Sequence, residues 1–206
     1  MNVAEQILEL VHQALSELET SGSSISSVIR KAIRVARLRG DYENLYWLSM
    51  EMRALGDQEA KNAIFLEIAP HLTRTELEAL NRRSVDGYIG RRRSNNLELA
   101  PEYAGESCEG AILGLGVPEL EDKFKFLEKG IEDLAAPSHL SPADYLYTRQ
   151  GNTRTKLQLT LAEWSGILQR ISQAVHEYLS RAEQQLYSGQ ANADILTVTA
   201  SLLMRD

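Results

Sequence analysis

The sequence predicts an all-α helical bundle of about six or seven helices, with a long C-terminal helix and an irregular mid-chain connection. Two observations predict it. Apolar residues recur at spacings of three and four through most of the chain, the period of a helix with one buried stripe. Short Gly, Ser, Asp and Pro groups interrupt those stripes at intervals typical of helix–helix connections.

The first stripe is Ile7, Val11, Leu15 and Leu18, which predicts a helix over 4–19. The polar run Thr20-Ser21-Gly22-Ser23-Ser24 ends it. Ser24 or Ser26 then suits a helix cap, because a short hydroxyl satisfies the free N–H groups of a first turn. The second helix buries Val28, Ala32 and Val35 beside Ile29, Ile33 and Ala36, and sets Arg30, Lys31, Arg34 and Arg37 on its other face. Gly40 stops it and Asp41 caps the next helix. That third helix carries Leu45, Leu48, Met52 and Leu55, flanked by Tyr46 and Trp47. Gly56-Asp57 restarts the chain into a fourth helix with Ala60, Ile64, Ile68 and Leu72, which Pro70 bends or ends. Thr73-Arg74-Thr75-Glu76 matches a capping box and opens a fifth helix, with Leu77, Leu80 and Ile89 on its apolar side.

Residues 94–118 change character. Asn95-Asn96, Pro101, Gly105, Gly110, Gly114, Gly116 and Pro118 fall there, which predicts an exposed, mobile connection. It separates an N-terminal part, 1–93, from a C-terminal part, 119–206, that packs on the same core. The latter opens with a helix over 119–135 marked by Leu120, Phe124, Leu127, Ile131 and Leu134. A break at 137–142, a short piece near Tyr145 to Tyr147, and Gly151 follow. The longest helix is predicted at 155–187. Its stripe, from Leu157 through Trp164, Ile171 and Tyr178 to Leu186, is close to a heptad seam. Packing within the chain and pairing with a second copy both satisfy such a seam; the former is favoured. Trp47 and Trp164 are expected in the core. The tail 194–202 alternates polar and apolar residues and suggests an extended segment.

Composition narrows the function classes. Of 206 residues, 43% are hydrophobic and 25% charged, an ordinary globular balance that excludes collagen-like and disordered chains. No run is long and apolar enough to span a bilayer, and the first residues lack a secretion signal. The single cysteine, Cys108, lies between Glu106 and Glu109; one thiol makes no intrachain disulfide, and acidic neighbours disfavour a nucleophile. A reducing, cytoplasmic setting is therefore expected. The net charge of −7 argues against a general nucleic-acid coat while leaving room for a local basic face.

Residues 26–41, Ser-Ser-Val-Ile-Arg-Lys-Ala-Ile-Arg-Val-Ala-Arg-Leu-Arg-Gly-Asp, precede Leu45-Tyr46-Trp47-Leu48-Ser49-Met50-Glu51-Met52. This pairing resembles the opening of the AbiTii domain, a helical domain associated with bacterial abortive infection and phage defence. The stretch from Ile167-Leu168-Gln169-Arg170-Ile171 onward is similar to that domain's C-terminal helix. The chain departs from the family in having Met50 and Met52 where leucine is usual, and in lacking the Gly-Tyr that often follows the second helix. The resemblance implies an all-helical fold and a defence context. It carries over no catalytic residues.

Three constellations are candidates for chemistry. Two basic faces, Arg30 to Arg39 and Arg82 to Arg93, combine with Tyr42, Tyr46 and Tyr88 into a surface suited to phosphates and bases. The competing reading is a solvated face paired to Glu43, Glu51 or Asp86. Arg82, Arg83, Tyr88, Arg91, Arg92 and Arg93 are the predicted binding residues, with Arg91 to Arg93 foremost because no acid follows before Glu98. Arg170 and His176 form an Arg-x5-His pair of the kind HEPN ribonucleases use in dimers, where histidine moves a proton and arginine steadies phosphate charge. Six residues of helix set them about 120° apart, so one site needs a partner chain. The glycines of 110–118 lack the preceding strand and following lysine of a phosphate loop, and turn chemistry accounts for them. His12, His71, His139 and His176 are scattered, so neither a metal nor a cofactor is expected.

The expected function is a non-enzymatic protein–protein interaction component of a bacterial anti-phage, abortive-infection system. Its partner would be another protein of that system, with a homo-oligomer through the 155–187 helix as a further expectation. The alternatives are a metal-independent HEPN-like ribonuclease and a nucleic-acid sensor using the basic faces.

Overall fold

The computed structural model describes residues 3–20, 22–94, 111–112, 114–135, 140–146 and 148–189. Eight α-helices appear among them: α1 (Val3–Glu19), α2 (Ile25–Arg39), α3 (Tyr42–Glu51), α4 (Gln58–Ile68), α5 (Arg74–Arg92), α6 (Val117–Asp133), α7 (Pro142–Leu146) and α8 (Arg149–Tyr187). The all-α bundle is therefore observed, with a long C-terminal helix. Counting the short α7 brings the helix number to eight among the described residues, and α6 starts two residues earlier than expected.

Local chemistry sets the boundaries in the first half. The Ser24 hydroxyl accepts from the Ser27 N–H, and Gly40 ends α2 in the left-handed region at φ 64°. Asp41 caps α3 and Asp57 caps α4. Thr73 and Glu76 form the reciprocal capping box of α5. Pro70 lies in a short 3-10 turn, Ala69–His71, that finishes α4.

One core unites both halves. Ile7 and Val11 of α1, Val28, Ile29 and Val35 of α2, and Leu45 and Leu48 of α3 are buried. They share a cluster with Leu80 of α5, Leu120 of α6, and Ile167, Ile171 and Val175 of α8. The α8 seam packs on α1, α2, α5, α6 and α7 of its own chain. A second copy would have to meet the outer face of α8. Trp164 is buried as expected, whereas Trp47 is half-buried, its indole N–H donating to Asn44 at 2.7 Å.

Several expectations need correction. Helix α8 begins at Arg149, capped by Thr148, ahead of the apolar stripe that marked its start. Gly151 is inside its first turn rather than a break. A Cβ there would lie 2.0 Å from the Tyr145 carbonyl oxygen, so glycine permits α7 to sit on α8. The end of the 94–118 connection is not free surface. Gly116 and Val117 are buried, and the Leu55 N–H donates to the Gly114 carbonyl at 2.7 Å. Its two ends also meet in a short antiparallel pairing, Arg93 with Ile112 and Ser94 with Ala111. Cys108, Gly110, His139 and the 194–202 tail lie outside the described residues.

Candidate functional site: an arginine-lined groove beside a buried arginine pair

The arginines that end α5 do not face solvent as a group. Arg92 is fully buried, and so is Glu51 at the end of α3. Arg92 donates to Glu51 Oε2 through Nε at 3.1 Å and Nη2 at 2.5 Å. Its Nη1 donates to the Leu115 carbonyl just before α6. Arg91 takes the other carboxylate oxygen, with Nε to Glu51 Oε1 at 2.8 Å, and stacks its guanidinium over Trp47. Arg92 lies over the Tyr88 ring, 4.2 Å from its centroid. One carboxylate thus neutralises two cations and joins α3, α5 and the approach to α6. Charge-assisted bonds of this kind are the strong ones, and they need every member present once water is excluded.

The predicted binding set is corrected accordingly. Arg91, Arg92 and Tyr88 are structural. Tyr88 is 1% exposed and unavailable for stacking on a base. Arg83 pairs with Glu43 at 3.0 Å. Arg82 and Arg93 are exposed. The other tyrosines are also engaged: Tyr46 donates to Asn81 at 2.8 Å, and Tyr42 stacks on His71 at 4.6 Å.

Arg170 and His176 are both exposed on α8. Arg170 donates to the carbonyls of Arg91 at 2.8 Å and Arg93 at 3.3 Å. It therefore satisfies carbonyls that the end of α5 leaves open, where a cation also suits the helix dipole. The structure does not bring the two residues into one site within the chain. Among the described residues no three His, Cys, Asp or Glu side chains group as a metal site.

A second buried polar cluster sits where α2 turns into α3. Arg39 and Asp41 are buried there, against Tyr178 of α8. Arg39 donates to Gln185, and Asp41 accepts from the Asn44 N–H at 3.2 Å and its side-chain amide at 3.0 and 2.9 Å. Burial pushes the Asp41 carboxyl above its ordinary range, against the Asn44 bonds and the charges of Arg39 and Arg181. Burial and then the Asp41 charge push the Tyr178 hydroxyl well up. The cluster holds the α2–α3 corner to the last turns of α8.

An open groove runs between α2 and α4, with the end of α3 beneath it. Its volume is about 430 Å³, within the size range of ligand clefts. Helix α2 contributes Arg30, Ile33 and Arg37; α3 and its exit contribute Ser49, Met52 and Arg53. Helix α4 contributes Ala60, Ala63 and Ile64, and Pro118 closes the α6 side. The positions recur at three and four on both helices, so each presents one stripe to the groove. Arg37 meets Glu67 across it in a two-point contact, Nε to Oε1 at 2.5 Å and Nη2 to Oε2 at 2.9 Å. That bond lowers the Glu67 carboxyl below its usual range and raises Arg37. Arg30 and Arg53 are exposed and have no acidic partner among the described residues.

The basic face of α2 was legible as arginines spaced along one helix. Arg53 was not, because it follows α3 and joins Arg30 only through the packing of α3 under α2. Comparison with protein-family models, with curated proteins and with solved structures gives no match.

Proposed function

We propose that the protein is a non-enzymatic interaction component of a bacterial abortive-infection defence system, and that it holds a partner protein in the groove between α2 and α4. The defence setting follows from the AbiTii resemblance of residues 26–52. The binding role is carried by one observation: Arg30 and Arg53 stand at the rim of an apolar-floored groove with no acidic partner among the described residues, on a chain whose net charge is −7. A basic island on an acidic protein steers an acidic partner and rejects basic ones. The apolar floor of Ile33, Met52 and Ile64 favours a protein side chain over a nucleic acid, whose bases take aromatic platforms. No helix among the described residues is long and apolar enough to cross a membrane.

The test is phage plating on cells carrying the gene with its native neighbours, comparing wild type with Arg30→Glu/Arg53→Glu. Loss of protection at unchanged protein level supports the reading. Full protection by the double variant overturns it. Cleavage of total RNA by the purified protein in EDTA, abolished in His176→Ala, would replace it with the ribonuclease reading.

A further inference from the structure

The groove carries more detail about its occupant than its charge alone. Arg30 and Arg37 are seven residues apart on α2, so their Cα atoms are separated by about 10 Å along the helix axis. Ile33 lies between them on the same stripe. The α4 residues lining it are Ala60, Ala63 and Ile64, and Glu67, one turn beyond Ile64, binds Arg37 at two points. Across the groove, then, the chain already shows one arginine of the α2 stripe satisfied by a helical carboxylate. At the other end Arg30 has no such carboxylate among the described residues, and Arg53 adds a second cation without one.

We infer that the groove seats an amphipathic helix of a partner protein. This rests on the binding reading above and names its occupant. The helix lays apolar side chains over Ile33, Met52 and Ile64, and brings carboxylates from one face to Arg30 and Arg53. An inserted helix reads such a groove through anchors at positions i, i+3, i+4 and i+7. Paired guanidinium–carboxylate forks then fix its register and direction. Small residues on α4, Ala60 and Ala63, leave the width that larger ones would fill.

The experiment measures binding of three fluorescent probes to the full chain by anisotropy: a synthetic amphipathic helix with apolar anchors flanked by glutamates, the same peptide with lysines for glutamates, and a scrambled acidic peptide. An oligouridine is the fourth probe. The acidic helix alone is expected to bind, and Arg30→Glu/Arg53→Glu is expected to weaken it at least about tenfold. On that variant the lysine peptide should bind instead, a swap that general unfolding does not produce. Ala63→Trp, at an exposed position of α4, should fill the groove and lose the acidic helix without changing any charge. Equal binding of the scrambled peptide overturns the inference, because charge alone would then suffice. Tighter binding of oligouridine, lost in the double variant, overturns it in favour of nucleic acid. No binding of any probe overturns it too. Where no probe binds, loss of plating protection by the same variant leaves the broader interaction reading standing.

Discussion

Two arginine groups of this chain have opposite fates. Arg91 and Arg92 are consecutive, end a helix, and look like the strongest basic cluster in the sequence. They are tied to Glu51 inside the fold. Arg30 and Arg53 lie 23 positions apart at the rim of a groove and have no acidic partner among the described residues. Density of positive charge along the chain therefore does not identify the available surface. What matters is whether packing delivers a carboxylate, and for Arg91 and Arg92 it comes from α3, 40 and 41 residues earlier.

The contrast can be broken most forcefully at Glu51. Glu51→Ala leaves two guanidiniums facing each other without a counter-charge, one of them fully buried. It should cost about 3–5 kcal/mol of unfolding free energy. Urea unfolding would measure this, and a loss below about 1 kcal/mol would show that water reaches the pair. A smaller effect is expected from Gly116→Ala. The added Cβ would lie 2.9 Å from the Met52 carbonyl oxygen and 3.0 Å from the Arg53 carbonyl carbon. Moving that segment carries the Leu115 carbonyl away from Arg92, at a cost of about 1–3 kcal/mol. An unchanged midpoint would mean the backbone gives way without cost.

The groove side should respond weakly in stability. A double-mutant cycle on Arg37 and Glu67 should return about 0.2–1 kcal/mol, since both side chains are substantially exposed. Its pH dependence has a definite sign. Glu67 is lowered in the folded state, so its contribution is present above the unfolded carboxyl range and is lost as pH falls through the folded value. Coupling that grows as pH falls would refute the pairing. Smallest of all, Arg30→Glu/Arg53→Glu should alter stability by no more than about 0.5 kcal/mol, because neither cation has an acidic partner to lose among the described residues. A large loss would place these residues with Arg91 and Arg92 as structural.

Asp41 extends the comparison to a third arginine, Arg39, which packing also buries. Because the Asp41 carboxyl is raised, the folded chain holds that proton more tightly than the unfolded one. Its contribution makes stability fall as pH rises through the acidic range. Asp41→Asn keeps a competent helix cap and should flatten that fall; an unaltered pH profile would count against the burial of the charge.

Much of this molecule was written locally. Gly40 in the left-handed region, the caps Ser24, Asp41 and Asp57, and the Thr73–Glu76 box depend on a few neighbouring residues, and each stands where the sequence puts it. The stripes of α1, α2 and α8 do as well, because a helix of period 3.6 must bury whichever face is apolar. The limits of local reading are equally specific. Gly151 reads as a break until the Tyr145 backbone is seen against it, and Arg149 to Lys156 carry no stripe that announces a helix. The competing reading that paired the basic faces with Glu43 and Glu51 named the acids that packing supplies.

The sequence by itself determined the all-helical class, the capped helix starts of the first half and the apolar stripes that make the core, because those follow from hydrogen bonding and burial within a few turns. Only the tertiary structure decided which arginines are free. Coulombic and hydrogen-bond partners are chosen by distance in space: α3 carries Glu51 to the end of α5, while among the described residues none brings a carboxylate to Arg30.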